Sequence, residues 1–202
     1  MKCVLNICFA TIVILSFSLS VLAAVTVGAP APDFSVEDTN GQAHTLSNYK
    51  GKFVVLEWFN HDCPFVRKHY NSGNMQNLQK KYTQAGVIWL SINSSAPGKQ
   101  GQYSPAEANR LTQEKGVAST AVILDPEGTI GQMYGAQTTP HLFIIDPNGT
   151  LIYQGAIDNI ASTDVVDIPK ATNYVEAALS AAMGGKSLEV SSTKSYGCSV
   201  KY

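Results

Sequence analysis

The alternation of apolar runs with amphipathic stretches along this chain predicts an α/β fold. Residues 53–59 and 87–92 are rich in β-branched and aromatic side chains, which is the composition of buried strands. Between them, Met75, Leu78 and Tyr82 recur at helical spacing and predict one apolar helix face. Strands that alternate with helices in this way indicate a sandwich around a central sheet.

The later part of the chain continues the alternation within one domain. Two Asp-Pro-x-Gly turns begin at Asp125 and Asp146, and the second of them joins the strands of a hairpin. We find no internal repeat in the sequence. The further predicted strands are residues 33–36, 42–46, 121–124, 141–145 and 151–154, and the further predicted helices are residues 104–115, 129–134 and 171–183.

A cysteine stands where the apolar strand at 53–59 gives way to a helix. Cys63 is followed by Pro64, which suits the first helical position because its missing N–H costs nothing there. The positive end of the helix dipole favours a thiolate and lowers the pKa of a cysteine. Cys63 is therefore the candidate nucleophile, and the alternative is a buried, inert cysteine. The helix is expected to break near Gly73, with Asn74 capping a second segment.

The first 23 residues have the pattern of a secretory signal peptide. Lys2 precedes an apolar run, and Val21-Leu22-Ala23 fits a small-residue cleavage site. Cleavage after Ala23 would export the protein to the periplasm or the extracellular space as a single domain, residues 24–202. The alternative is an uncleaved membrane anchor, because the apolar run approaches spanning length. After cleavage we expect no stable membrane span.

Charge and cysteine content narrow the function further. The formal net charge is −1, which gives no reason to expect a nucleic-acid partner. Cys63 and Cys198 remain after cleavage, and Cys198 lies in a tail at residues 184–202. Two cysteines in an exported protein can pair, or one can be a reactive thiol. No cofactor and no resident metal are predicted.

Three features together resemble the thioredoxin fold, and more narrowly the redoxin group of peroxiredoxin-like and TlpA-like proteins of the AhpC/TSA type. They are Cys63-Pro64 after the apolar strand, Thr139-Pro140 before a buried strand, and the paired Asp-Pro-x-Gly turns. The resemblance covers about residues 27–183. It implies a three-layer α/β/α sandwich with a mixed central sheet and an N-terminal β extension.

The chain departs from both well-known patterns within this group. Val66 stands where thioredoxins have a second cysteine. Asn60 and Leu56 stand where peroxiredoxins have a Thr and a Pro before their reactive cysteine. Because that Thr is absent, we expect thiol–disulfide exchange in preference to peroxide reduction.

The resemblance also implies roles for particular residues. Thr139-Pro140 matches the cis-proline loop, which would hold a substrate chain on the Thr139 backbone beside Cys63 and Pro64; the alternative is an ordinary proline at a strand entry. Glu57 falls where thioredoxins keep a buried acid that handles the proton, although it could instead reach solvent. Cys198 would resolve an oxidised Cys63. Alternatively, Cys198 forms a permanent disulfide, or the two cysteines never meet.

These features predict an exported thiol–disulfide oxidoreductase or peroxiredoxin-like antioxidant enzyme. Its partners would be protein or small-molecule thiols and disulfides, or a peroxide. The alternative is a non-enzymatic copper- or zinc-binding or partner-binding module, in which histidines join Cys63 as ligands. His61, His69 and His141 are the candidates, although packed or solvated histidines are the commoner case. Arg67 and Lys68 are expected on a solvated helix face, and the alternative is that either of them stabilises a thiolate at Cys63.

Overall fold

The computed structural model describes residues 25–202 of the chain. The predicted signal peptide at residues 1–23 lies outside these residues, and its cleavage remains a prediction. Within residues 25–202, no helix combines the length and the apolar character needed to cross a bilayer.

Helices and strands alternate along the described chain, with 3₁₀ turns at Leu46–Tyr49 and Val165–Lys170. In chain order the elements are β1 (Ser35–Glu37), β2 (Ala43–Thr45), β3 (Val54–Trp58), α1 (Pro64–Asn71), α2 (Asn74–Gln84), β4 (Ile88–Asn93), α3 (Pro105–Glu114), β5 (Ala121–Leu124), α4 (Thr129–Tyr134), β6 (Thr138–Thr139), β7 (His141–Ile145), β8 (Leu151–Gly155), α5 (Tyr174–Met183) and β9 (Cys198–Ser199).

The central sheet is mixed, as predicted. Its strand order is β5-β4-β3-β7-β8. In β3, Leu56 pairs with Leu90 of β4 in the parallel direction and with Phe143 of β7 in the antiparallel direction. The strands β1 and β2 form a separate antiparallel pair, which is the expected N-terminal extension.

Strand β3 is buried along its whole length because both faces of the sheet are covered. Val55 belongs to the cluster that packs against α1, α2 and α5. Leu56 and Trp58 belong to the opposite cluster, which includes residues of α4. Full burial of one such aliphatic side chain contributes roughly 1.5–3 kcal/mol. The strand that leads to Cys63 is therefore a firmly packed support.

The break between α1 and α2 falls where the sequence predicts it, but its capping differs. Gly73 adopts a φ of 75° and caps α2 through its backbone. Asn74 is already the first helical residue, and its amide donates to His69 Nδ1 at 2.9 Å. The prediction that Asn74 caps α2 was therefore wrong.

The tail at residues 184–202 packs back onto the domain beside the sheet. Thr193 N–H donates to the Gln154 carbonyl at 3.0 Å, which places the tail along β8. Further on, β9 pairs antiparallel with β6. Beyond β9, Ala96 N–H donates to the Lys201 carbonyl at 2.8 Å. Contacts on both sides of Cys198 thus fix its segment.

Candidate active site

Cys63 occupies the residue before the first turn of α1, as its sequence context predicts. Its φ of −75° and ψ of 125° are extended, and Pro64 begins the helix. The Cys63 N–H donates to the Asn60 carbonyl at 2.9 Å, which closes the turn between β3 and α1. The Cys63 side chain is fully buried.

The fold brings Cys198 directly to Cys63. Their Sγ atoms lie 2.7 Å apart, and both residues are free thiols. The pairing of β6 with β9 sets this contact, because Thr139 and Cys198 are partners in its register. The alternative in which the two cysteines never meet does not describe this structure.

The peptide bond between Thr139 and Pro140 is cis, as predicted. The Cys63 Sγ lies 3.1 Å from the Thr139 carbonyl oxygen. The Thr139 hydroxyl is buried and lacks a hydrogen-bond partner among residues 25–202. The backbone edge expected to receive a substrate chain is therefore present, and the tail of the same chain lies on it.

The two thiols differ in acidity. Burial raises the pKa of Cys63, but hydrogen bonds, including those from the Cys198 thiol and the Val66 N–H, outweigh it and leave the pKa below its ordinary value. Burial and the hydrogen bond to Cys63 raise the pKa of Cys198 to about 11. Cys63 is thus the sulfur that ionises first, and Cys198 keeps its proton.

Glu57 is completely buried, so the alternative in which it reaches solvent was wrong. Tyr70 OH donates to its Oε1 at 2.8 Å, and Trp89 Nε1 donates to its Oε2 at 2.8 Å. Gln79 and Ser91 also donate to Oε2. Burial raises the pKa of the Glu57 carboxyl, and these hydrogen bonds offset part of the rise. None of its described hydrogen bonds reaches Cys63, so proton transfer by Glu57 stays a prediction.

The AhpC/TSA family matches residues 27–154. The chain belongs to this family. The thiol-disulfide oxidoreductase ResA of Geobacillus thermodenitrificans is 32% identical over 126 residues, which cover 62% of this chain and 67% of ResA. The family match includes Cys63 and Thr139-Pro140, whereas the tail with Cys198 lies outside it.

Solved structures show the same fold. An uncharacterized conserved protein from Geobacillus kaustophilus superposes with a TM-score of 0.77 at 24% identity, covering 88% of this chain and 92% of that one. The thioredoxin domain of a thiol-disulfide oxidoreductase from Bacteroides vulgatus superposes with a TM-score of 0.51 at 16% identity, covering 73% of this chain and 97% of that one. The protein thus has the predicted thioredoxin-like α/β fold.

The candidate metal ligands are packed side chains in this AhpC/TSA family member. His61 lies against the rings of Phe59 and Tyr70, and burial lowers its pKa to about 4. His141 Nδ1 accepts the Gln137 N–H at 3.2 Å, and burial lowers its pKa to about 4 as well. Across residues 25–202, no three His, Cys, Asp or Glu side chains are placed to hold a metal ion.

A buried polar cluster beside the cysteines was missed by the sequence analysis. Lys68 is 1% exposed, so its predicted place on a solvated helix face was wrong. Its Nζ donates to the Ile160 carbonyl at 2.9 Å and lies 3.7 Å from Asp158 Oδ2. Asp158 also accepts a hydrogen bond from Tyr196, two residues before Cys198. The apolar Ala156-Ile157 before Asp158 is the one sequence signal of its burial.

Proposed function

We propose that this protein is an exported thiol–disulfide oxidoreductase in which Cys63 is the nucleophile and Cys198 resolves its mixed disulfide. The observation that carries the proposal is the 2.7 Å contact between the two Sγ atoms. The similarity to ResA, a thiol-disulfide oxidoreductase, supports the reaction class. The pattern of residues 1–23 supports export.

In the reductive direction, the Cys63 thiolate attacks one sulfur of a substrate disulfide. A mixed disulfide forms and the first substrate thiolate leaves. Cys198 then attacks the Cys63 sulfur and expels the second substrate thiolate, which takes up the Cys198 proton. The first substrate thiolate takes up a proton from water, so the substrate gains two electrons and becomes a dithiol, while the protein ends with a Cys63–Cys198 disulfide. The same steps in reverse oxidise a substrate dithiol.

The acidity difference fits this division of roles. A thiolate is the attacking form, and Cys63 is the thiol whose pKa lies below its ordinary value. Cys198, with its pKa raised to about 11, remains a protonated thiol until the mixed disulfide has formed. It needs to lose its proton only when a substrate thiolate is leaving beside it. A protonated Cys198 also stabilises the Cys63 thiolate by donating to it.

The cis-proline loop completes the site. We propose that the Thr139 backbone holds an extended substrate chain next to Cys63, with Pro140 fixing the edge and Pro64 forming the neighbouring wall. Because β9 occupies this edge, such a chain would bind where the tail now lies. We also propose that Glu57, which is buried between the central sheet and α1, gives and takes up the proton of the reaction. It does so without direct contact with the Cys63 sulfur.

Peroxide reduction is the less supported chemistry for the same cysteine. Asn60 stands where peroxiredoxins have the Thr that activates peroxide. Its amide donates to the Gln100 carbonyl at 3.1 Å, and its Oδ1 accepts the Asp62 N–H at 2.9 Å. Since both ends of this side chain make loop contacts, Asn60 is oriented toward the loop and does not present the hydroxyl that a Thr would supply.

The test is to trap the mixed disulfide. We expect the reduced Cys198→Ser variant to accumulate a covalent adduct with a protein that carries an intact disulfide, such as insulin, and mass spectrometry should locate the adduct on Cys63. Cys63→Ser should form no adduct and lose turnover. Hydrogen peroxide supplied in place of the disulfide should be consumed slowly by the wild-type protein. Full disulfide turnover by Cys63→Ser would overturn the proposal.

A further inference from the structure

The tail reaches Cys63 through a small number of anchors, and one of them is a side chain close to Cys198. The Tyr196 hydroxyl donates to Asp158 Oδ1 at 2.5 Å. Burial and the hydrogen bond to Asp158 raise the pKa of Tyr196, so its hydroxyl stays protonated and remains a donor. The Tyr196 ring also packs against Phe65 of α1, with 5.8 Å between ring centroids. This anchor lies two residues from the resolving cysteine.

Asp158 is held in place by groups that do not belong to the tail. It is 2% exposed, and its Oδ1 accepts the Ile160 N–H at 2.9 Å. Its Oδ2 lies 3.7 Å from Lys68 Nζ and 3.9 Å from His69 Nε2. Lys68 and His69 are on α1, the helix that begins directly after Cys63. The Asp158 carboxyl thus connects the helix next to one cysteine with the tail that carries the other.

His69 strengthens this connection on the α1 side. The Asn74 amide donates to His69 Nδ1, so the neutral ring carries its proton on Nε2. Burial lowers the pKa of His69 to about 4, which keeps the ring neutral. Its Nε2 lies 3.4 Å from the Tyr196 hydroxyl oxygen. The hydroxyl therefore has polar neighbours on two sides that fix its position.

Gly197 is the residue between Tyr196 and Cys198, and its surroundings leave room only for glycine. Gly197 has a φ of 133°, a conformation that other residues rarely adopt. A Cβ atom at Gly197 would lie 2.1 Å from the Thr139 carbonyl oxygen. The tail backbone thus lies directly on the cis-proline loop, and a shift of Tyr196 would move Cys198 out of register with Thr139.

We propose that Asp158 is a positioning residue that, through the Tyr196 hydroxyl, holds Cys198 against Cys63. The consequence for reactivity rests on the proposed function, whereas the placement of the tail does not. The anchor raises the effective concentration of the Cys198 thiol at Cys63, which favours the intramolecular disulfide over mixed disulfides. The same anchor keeps Cys63 covered while the protein is reduced.

The test is Tyr196→Phe, which removes one hydroxyl and keeps the ring. In a glutathione redox buffer, we expect the equilibrium constant that converts the Cys63–glutathione mixed disulfide into the Cys63–Cys198 disulfide to fall about tenfold, as for loss of a hydrogen bond to a charged group. The change appears in this constant because the tail is displaced from Cys63 only in the mixed disulfide. In a Cys198→Ser background, Tyr196→Phe should also speed alkylation of Cys63 by iodoacetamide by about tenfold, because the tail leaves more often.

The matched control is Tyr82→Phe, which removes a hydroxyl that donates to the Glu176 carbonyl at 3.1 Å, outside the tail. It should change neither the equilibrium constant nor the alkylation rate. Asp158→Asn should reproduce the effects of Tyr196→Phe, but it leaves Lys68 buried without its counter-charge and can prevent folding. Tyr196→Phe keeps the charges and so keeps the proposal testable.

The equilibrium constant and the alkylation rate test the positioning role of Asp158 independently of whether the protein turns over disulfides. Faster alkylation in Tyr196→Phe supports the positioning role even in a protein that turns over no disulfide. Equal values for Tyr196→Phe and Tyr82→Phe in both measurements would overturn the positioning role, whatever the protein's turnover.

Discussion

Thr139 and Cys198 face each other as register partners of β6 and β9, so the tail cysteine lies on the backbone edge beside cis-Pro140. The pairing places Cys198 Sγ next to Cys63 Sγ and covers the Cys63 side chain. In this AhpC/TSA family member, the second thiol thus comes from the tail and not from the turn of helix that follows the first.

The first prediction concerns the acidity of Cys63. Cys198→Ala removes a donor to the Cys63 sulfur, so we expect the pKa of Cys63 to rise. Cys198→Ser keeps a hydroxyl donor and should raise it less. The pH dependence of Cys63 alkylation by iodoacetamide measures both pKa values. An unchanged pKa in Cys198→Ala would contradict the role given to the Cys198 thiol.

The second prediction concerns the fit of the tail. Gly197→Ala places a Cβ 2.1 Å from the Thr139 carbonyl oxygen at a φ of 133°, so the tail must shift. Backbone strain of this kind costs about 1–3 kcal/mol. We expect oxidation to the Cys63–Cys198 disulfide to slow by about tenfold or more, measured by quenched-thiol labelling.

Gly185→Ala is the control for that variant. Gly185 lies in the same tail with a φ of 69°, but a Cβ there meets nothing within 4 Å. It should oxidise at close to the wild-type rate. Equal slowing in the two variants would show that tail flexibility, and not contact with Thr139, limits the reaction.

The third prediction concerns pH and Glu57. Because burial raises its pKa in the folded protein, Glu57 contributes stability at pH values below its ordinary pKa of 4.5 and loses it as the pH rises through the raised value. Glu57→Gln cannot ionise, so its stability relative to wild type should improve as the pH rises above about 4.5. Urea unfolding at a series of pH values measures the difference. A constant difference across pH would contradict a raised pKa.

The fourth prediction concerns the Thr139 hydroxyl. It is buried without a partner in the described chain, on the residue whose carbonyl oxygen lies 3.1 Å from Cys63 Sγ. A thiolate at Cys63 would provide an acceptor for it, so Thr139→Val should raise the pKa of Cys63. The control is Thr138→Val, because the Thr138 hydroxyl already donates to the Pro140 carbonyl at 3.0 Å. Equal pKa values in the two variants would exclude a donor role for Thr139.

The sequence was sufficient to predict the scaffold and one half of the site. The apolar run before Cys63, the Pro after it and the Thr-Pro pair before β7 are local signals, and each lies at the predicted end of an element. Local signals of this kind indicate where an element begins, because capping and burial depend on near neighbours. The cis bond at Pro140 and the mixed sheet were predicted from the resemblance to the redoxin group that these residues carry, and not from the local signals themselves.

The position of the tail could not be predicted in the same way. Strand β9 has two residues, and its neighbours show neither the apolar alternation of a strand nor the spacing of a helix. Lys68 was expected in solvent because its partner Asp158 is distant in the sequence. Charged residues are buried when a partner is supplied by the tertiary fold, and a single sequence does not show such partners.

The covering of Cys63 by Cys198 has a consequence for biosynthesis. A ribosome makes the amino-terminal part first, so the sheet and α1 can assemble while the residues that close the site are still missing. During that interval the tail does not cover Cys63, and foreign disulfides can reach its thiol. Once the tail arrives, residues 25–202 contain only these two cysteines, so this part of the chain has a single intramolecular pairing to find.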